Sequence, residues 1–144
     1  MSTGTPGEAT QLWLLWKQAY EKARTAIVAD VTTASGLSES ELSVLVHLHE
    51  SGGVLRQNAL AAALGWDRTR LSHLLTRMEK RDYVSRTKLA SGVEVTLLPA
   101  GRQMIDASVP ALETSSRKHL LDRLDPEDAK ALKGIVARYL SDNR

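Results

Sequence analysis

Between Arg68 and Lys80 the chain reads RTRLSHLLTRMEK. Wound as a helix at about 100° per residue, this stretch separates into two unlike faces. Leu71, Leu74, Leu75 and Met78 follow the i, i+3, i+4, i+7 spacing and must turn toward a core. Thr69, Ser72, His73, Thr76, Arg77 and Lys80 are left on the opposite side, with Arg68 and Arg70 at the exposed first turn. These side-chain types suit one kind of chemistry, the recognition of nucleic acid. An arginine presents paired N–H donors to guanine O6 and N7, and a serine or threonine hydroxyl meets either a base edge or a phosphate. Arg70 and His73 are the candidates for base edges. Arg68 and Arg77 are the candidates for phosphates, which fix register without specifying sequence. The plain competitor is a solvated helix face with no ligand at all.

A reading helix must be held by its neighbours, and the flanking sequence supplies the means. A short helix over Gln57 to Leu64, with Leu60, Ala61 and Leu64 inward, leads to Gly65, which can take the left-handed turn conformation. Asp67 then caps the reading helix, which is expected to run to about Arg81. Upstream, Leu37-Ser38-Glu39-Ser40-Glu41-Leu42 carries a capping box, Ser38 with Glu41, and a hydrophobic staple, Leu37 with Leu42. That helix should run to about Glu50, bury Leu42, Leu45 and Val46, and stop at Ser51-Gly52-Gly53, with Val54-Leu55 a short strand. Downstream, the β-rich segments Tyr83 to Lys88 and Val93 to Leu97, joined by Leu89-Ala90-Ser91-Gly92, predict a hairpin.

Long helices flank this lobe. The first ten residues, with Gly4, Pro6 and Gly7, read as a mobile arm, followed by an amphipathic helix over 11–33. Asp30 falls inside its apolar stripe, where it either meets an arginine of another helix or reaches water past the last turn. Pro99 opens a helix through about Arg123 that Pro110 should kink or split. Asp125-Pro126 starts the last helix, which presents Leu132, Ile135, Val136 and Tyr139 for burial. The fold class is mainly α with a small β-hairpin, a winged helix-turn-helix over 38–97 flanked by dimerisation helices over 11–33 and 99–142, in one domain spanning 1–144. The terminal helices carry apolar stripes that nothing in a single copy covers, and a second copy is their natural partner.

Composition sets the limits. A chain of 144 residues with 42% apolar composition can bury one core but has no room for a reader and a separate catalytic domain. The absence of cysteine excludes disulfides, thiolate nucleophiles and cysteine-ligated zinc. With neither a leader-like start nor an apolar run of about 18 residues, the expectation is a soluble cytoplasmic protein with no membrane contact. The net charge of +2 conceals an uneven distribution. Residues 56–88 hold eight cations against three anions, a local net of +5, leaving −3 on the rest. A cationic patch of this kind is the electrostatic footprint of nucleic-acid binding.

Three segments together, LSESELSVL, ALAAALGWDRTRLSHLLTRMEKRDYV and VTLLPAGR, resemble the MarR family of bacterial transcription regulators over nearly the whole chain. The resemblance implies a homodimer with interleaved terminal helices, two winged lobes and a pseudo-palindromic site on double-stranded DNA. It places Arg68, Thr69, Arg70, Ser72, His73 and Arg77 on the recognition helix, with Thr76 on the same face, and the hairpin around Lys88 on the wing. It also implies a small aromatic or phenolic effector, near Trp16, Tyr20, His47 and His49. The sequence departs from the family at the wing, RTKLASGVEV, which lacks the usual Asp-x-Arg pair and leaves Arg86 or Lys88 as phosphate contacts. It departs again at two helix caps, where Arg56 and Leu98 replace hydroxyl residues, at a cost of about 1 kcal/mol each.

Other groupings point nowhere sharper. Trp13, Trp16 and Tyr20 share helical spacing and read as packing or as a ligand wall. His47 and His49, two apart on a helix, face opposite ways and cannot share a metal. His119 and Asp122 could ligate zinc or lie in solvent. No metal site, cofactor or catalytic constellation is expected, so the reading is a DNA-binding regulator rather than an enzyme. The alternative is a winged-helix protein-interaction module that does not bind DNA.

Overall fold

The computed structural model describes residues 4–141. Six helices and three strands follow in order: α1 (Glu8–Ser35), α2 (Glu39–Glu50), β1 (Val54–Arg56), α3 (Gln57–Leu64), α4 (Arg68–Lys80), β2 (Val84–Leu89), β3 (Gly92–Leu97), α5 (Pro99–His119) and α6 (Pro126–Ser141). A short 3-10 turn, Leu121–Arg123, sits between the last two helices. Residues 1–3 of the expected arm and residue 142 of the expected last helix lie outside the described residues. None of the described helices is long and apolar enough to cross a membrane. The chain gathers into two compact units, one of Val31–Ala111 and one of the described residues up to Asp30 with those from Leu112 onward.

The Val31–Ala111 unit holds the core. Ser38 and Glu41 form the expected capping box, with Glu41 N donating to Ser38 Oγ at 3.1 Å and Ser38 N donating to Glu41 Oε1 at 3.0 Å. On α2, however, the sealed residues are Val44, Leu45 and Leu48, while Leu42 packs at the core's margin and Val46 is only half-buried. The buried stripe is rotated from the expected one because α2 is covered on two sides, by α3 and α4 and by the sheet, so its buried arc is wide. Leu37 just before α2, Leu60 and Ala61 from α3, Leu71, Leu74, Leu75 and Met78 from α4, Val84 and Val95 from the strands, and Ile105 from α5 complete the cluster. The sheet is antiparallel in the order β1-β3-β2, with Leu55 opposite Val95 and Arg86 opposite Val95 on the other side. The hairpin loop is only Ala90-Ser91, two residues shorter than expected, because Leu89 and Gly92 already pair.

Gly101 explains part of the VTLLPAGR segment. A Cβ at this position would collide with the Tyr83 carbonyl oxygen and sit 2.9 Å from Leu97 Cδ1, so the start of α5 presses directly on the chain entering the wing. Gly101→Ala must displace backbone rather than a flexible side-chain end. The expected cost is about 1–3 kcal/mol, read as a lowered urea midpoint with unchanged slope. An unchanged midpoint would show that the approach is not tight.

Pro110 does not split α5, which runs unbroken from Pro99 to His119. The helix ends before Arg123, however, and the following residues tighten into the 3-10 turn. In the unit of terminal segments, Asp125 caps α6 as expected, accepting from Asp128 N at 2.8 Å. Ile135 and Tyr139 are exposed rather than buried, and Leu132 and Val136 only half-covered. On α1, which begins at Glu8 rather than after residue 10, Leu12, Trp13, Leu15, Trp16 and Tyr20 are likewise exposed.

Asp30 neither meets an arginine nor is left to water alone. Ser115 Oγ donates to its Oδ2 at 2.7 Å, and His119 Nε2 lies 3.2 Å from the same oxygen. The Ser115 hydrogen bond, more than burial opposes it, holds the Asp30 carboxyl below its usual range, with His119 and Lys118 adding in the same direction. A carboxylate favoured in the folded state contributes stability above its unfolded pKa and loses it as pH falls through the lowered folded value. Asp30→Asn is therefore expected to flatten the acid side of the thermal-stability profile below the usual carboxylate range. An equally steep acid limb in the variant would place the titrating group elsewhere.

Candidate nucleic-acid interface

α4 is positioned from both ends. At its start, Gly65 is left-handed (φ 68°, ψ 28°), Trp66 N donates to Ala61 O at 3.0 Å, and Asp67 Oδ1 accepts from Arg70 N at 2.8 Å. At its finish, Asp82 takes a positive φ of 60° while Asp82 N and Tyr83 N bond back to Glu79 O and Met78 O, a Schellman closure with aspartate where glycine is usual. Along its length the four apolar residues are sealed against the core. The opposite face, with Thr69, His73, Thr76, Arg77 and Lys80, is exposed.

The sequence-predicted residues do not all stand free. Arg70 lies over the Trp66 ring, its guanidinium carbon 4.1 Å from the centroid, and Nη2 donates to Ser40 Oγ at 3.4 Å. It is a stacked arginine on the flank of α4 that faces α2, and Trp66 sets its direction. Arg81 pairs with Glu41 at 3.5 Å, so the capping glutamate of α2 also fastens the end of α4. Arg86 is consumed by the protein. Its Nε and Nη2 donate to Glu79 Oε1 at 2.9 and 2.7 Å, Nη2 also to Thr76 Oγ1 at 2.8 Å, and Nη1 to Ser72 Oγ and O at 3.3 and 3.5 Å. Arg68, Arg77, Lys80 and Lys88 are exposed and have no protein partner among the described residues.

Four contributors escaped the sequence reading. Ser40 and Trp66 hold Arg70, Glu79 holds Arg86, and Arg56 reaches across the sheet to the hairpin, donating from Nη1 to Ser91 Oγ at 2.8 Å. Arg56 stands at the start of α3 with no side-chain capping bond, as expected, and ties down the wing tip instead. The only advance signal was an aromatic residue immediately before the Asp67 cap. Glu79 with Arg86 joins a helix to a strand, a pairing that helical periodicity does not reveal.

The residues named for an effector fall in different units, Trp16 and Tyr20 in one, His47 and His49 in the other. His47 is half-buried with Nδ1 2.9 Å from Ser43 O, and His49 is exposed. Among the described residues no three acidic or histidine side chains converge as a metal site, and His119 is engaged with Asp30.

Three helices, α2, α3 and the capped α4, with a hairpin wing define a winged helix-turn-helix. Residues 35–91 match the MarR family model. AbsC, a MarR family transcriptional regulator from Streptomyces coelicolor, is 29% identical with a TM-score of 0.81, the match covering 96% of this chain and 98% of AbsC. Sco3205 from the same organism, a MarR family transcriptional regulator solved in complex with DNA, is 27% identical with a TM-score of 0.81, over 99% of this chain and 94% of its own. A probable transcriptional regulator from Pseudomonas aeruginosa is 25% identical with a TM-score of 0.73, over 90% and 96% respectively. No curated protein matches the chain. The lobe is thus similar to the winged helix of the MarR family, in a chain whose fold resembles those of MarR family transcriptional regulators over nearly its whole length.

Proposed function

We propose that this chain is a sequence-specific DNA-binding transcriptional regulator, a homodimer acting as a repressor at a pseudo-palindromic operator. The observation that carries the reading is the exposed face of α4. Arg68, Thr69, His73, Arg77 and Lys80 lie in solvent, the cations unneutralised, on a helix whose other face is locked into the core. A winged helix that bound only protein would have no use for such a face. Arg68, Arg77 and Lys88 serve as phosphate contacts, Thr69, Ser72, His73 and Thr76 face base edges, and Arg70 reaches them from the flank where it stacks on Trp66. That regulators of this fold include Sco3205 in complex with DNA supports the same reading.

The dimer is supported by the exposed apolar residues of the terminal helices. Leu12, Trp13, Leu15, Trp16 and Tyr20 on α1 and Tyr139 and Leu140 on α6 are exposed, and a second copy is the partner that also sets a fixed spacing between two recognition helices. That spacing must be about 34 Å to reach successive major grooves. Release by a small aromatic or phenolic ligand requires that it bind an unsuited spacing more tightly than the suited one, with Trp16, Tyr20, His47 and His49 the residues to vary. The test combines sedimentation with titration of double-stranded DNA at several salt concentrations. A dimer with a steep inverse salt dependence is expected; a stable monomer, or no binding at low salt, would overturn the reading.

A further inference from the structure

Arginine carries five N–H donors in a planar fork and no acceptor. In Arg86 four of them point at protein oxygens: one from Nε and one from Nη2 to Glu79, the other Nη2 proton to Thr76, and one Nη1 proton shared between Ser72 Oγ and O. Glu79 completes the exchange, its Oε2 accepting from the Arg86 backbone N at 3.2 Å. The wing strand is thereby bolted to one flank of the recognition helix, and the charge of Arg86 is neutralised where it stands. A phosphate would have to displace the Glu79 carboxylate oxygen that accepts from both Nε and Nη2 to reach it.

The bolt also fixes what two hydroxyls can offer. Thr76 Oγ1 donates its proton to Ser72 O at 3.0 Å while accepting from Arg86 Nη2. It has one lone pair left and no proton to give. Ser72 Oγ accepts from Arg86 Nη1 and keeps its own proton. We propose that Glu79 and Arg86 are positioning residues for sequence reading: they make Thr76 an acceptor only while leaving Ser72 its proton to donate, and supply no phosphate anchor themselves. Phosphate oxygens only accept, so Thr76 cannot serve them. It can serve the exocyclic amino groups of cytosine or adenine in the major groove, whereas Ser72 can serve guanine O6 or N7, thymine O4 or a phosphate. The inference rests on the DNA-binding reading of α4 given above and deepens it.

The test uses the full chain and a duplex recovered from a random pool, with each base pair varied in turn, and reads dissociation constants across a salt series. Glu79→Gln with Arg86→Gln removes both charges and leaves net charge unchanged. The pair is expected to keep the salt slope, and to lose about 2- to 10-fold of discrimination at a base pair that presents an amino group. Thr76→Val alone should lose discrimination at that same pair, and adding it to the double variant should bring no further loss there. A slope lowered by about 1.8, one anchor lost in each of two copies, with discrimination intact would make Arg86 a phosphate anchor and overturn the proposal. So would a Thr76→Val variant that weakens all sequences alike, a result that stands even if the double variant fails to fold. Failure of the unaltered chain to retain any duplex is a separate outcome, which overturns the DNA-binding reading and this proposal with it.

Discussion

Replacing Arg68 and Arg77 together by alanine is expected to weaken binding to every DNA sequence and to flatten its salt dependence. Removing one phosphate anchor lowers the slope of log affinity against log salt by about 0.9, so two anchors in each of two copies amount to roughly 3.6. The size of the effect follows from how few cations are free. Of the eight between residues 56 and 88, Arg56 is committed to Ser91, Arg70 to Trp66 and Ser40, Arg81 to Glu41 and Arg86 to Glu79. Arg68, Arg77, Lys80 and Lys88 remain, and the first three of these lie on the same helix as the base-edge candidates. Fluorescence anisotropy on a labelled duplex at stepped salt reads both quantities, and an unchanged slope would remove Arg68 and Arg77 from the interface. Sequence preference should survive this change, since neither residue is placed on a base edge.

Leu75→Ala is expected to cost about 2–5 kcal/mol, a large share of the roughly 5–15 kcal/mol that holds a typical domain together. Leu75 is fully buried at the centre of the face that α4 turns to the core, among Leu71, Leu74, Met78 and residues of α2. Truncating it leaves a cavity directly beneath the recognition helix. Thermal unfolding should show the loss, and DNA affinity should fall with it at temperatures where the variant is still folded, because a loosened α4 no longer presents one geometry. A variant that melts with the unaltered chain would mean that α4 is held by its caps and ion pairs rather than by packing.

The parts of this fold that were legible in the sequence are those governed by local rules. The Ser38–Glu41 box, the Asp67 and Asp125 caps, the left-handed Gly65 and the i, i+3, i+4, i+7 stripe of α4 each depend on residues within one or two turns, and each is found where expected. What the sequence did not disclose depends on neighbours that arrive from elsewhere in the chain. The buried arc of α2 shifted to Val44 and Leu48 because two helices and a sheet cover it. Asp30 found Ser115 and His119, some 85 and 89 residues away. Arg86 was legible as a cation but not as a spent one, since its partner Glu79 faces it only after the chain reverses at Asp82. The recognition helix was thus readable as a helix with a wet face, while the division of that face into anchored and free side chains required the wing in place.

The central claim is that two copies of α4, held at a fixed distance, read two half-sites of one DNA duplex. Selection of bound duplexes from a random pool by the full chain tests it most directly. The account predicts enrichment of a pseudo-palindrome whose half-sites are centred about one helical turn, roughly 10–10.5 base pairs, apart. A pool that emerges unenriched, or enriched in a single unrepeated half-site, would contradict it.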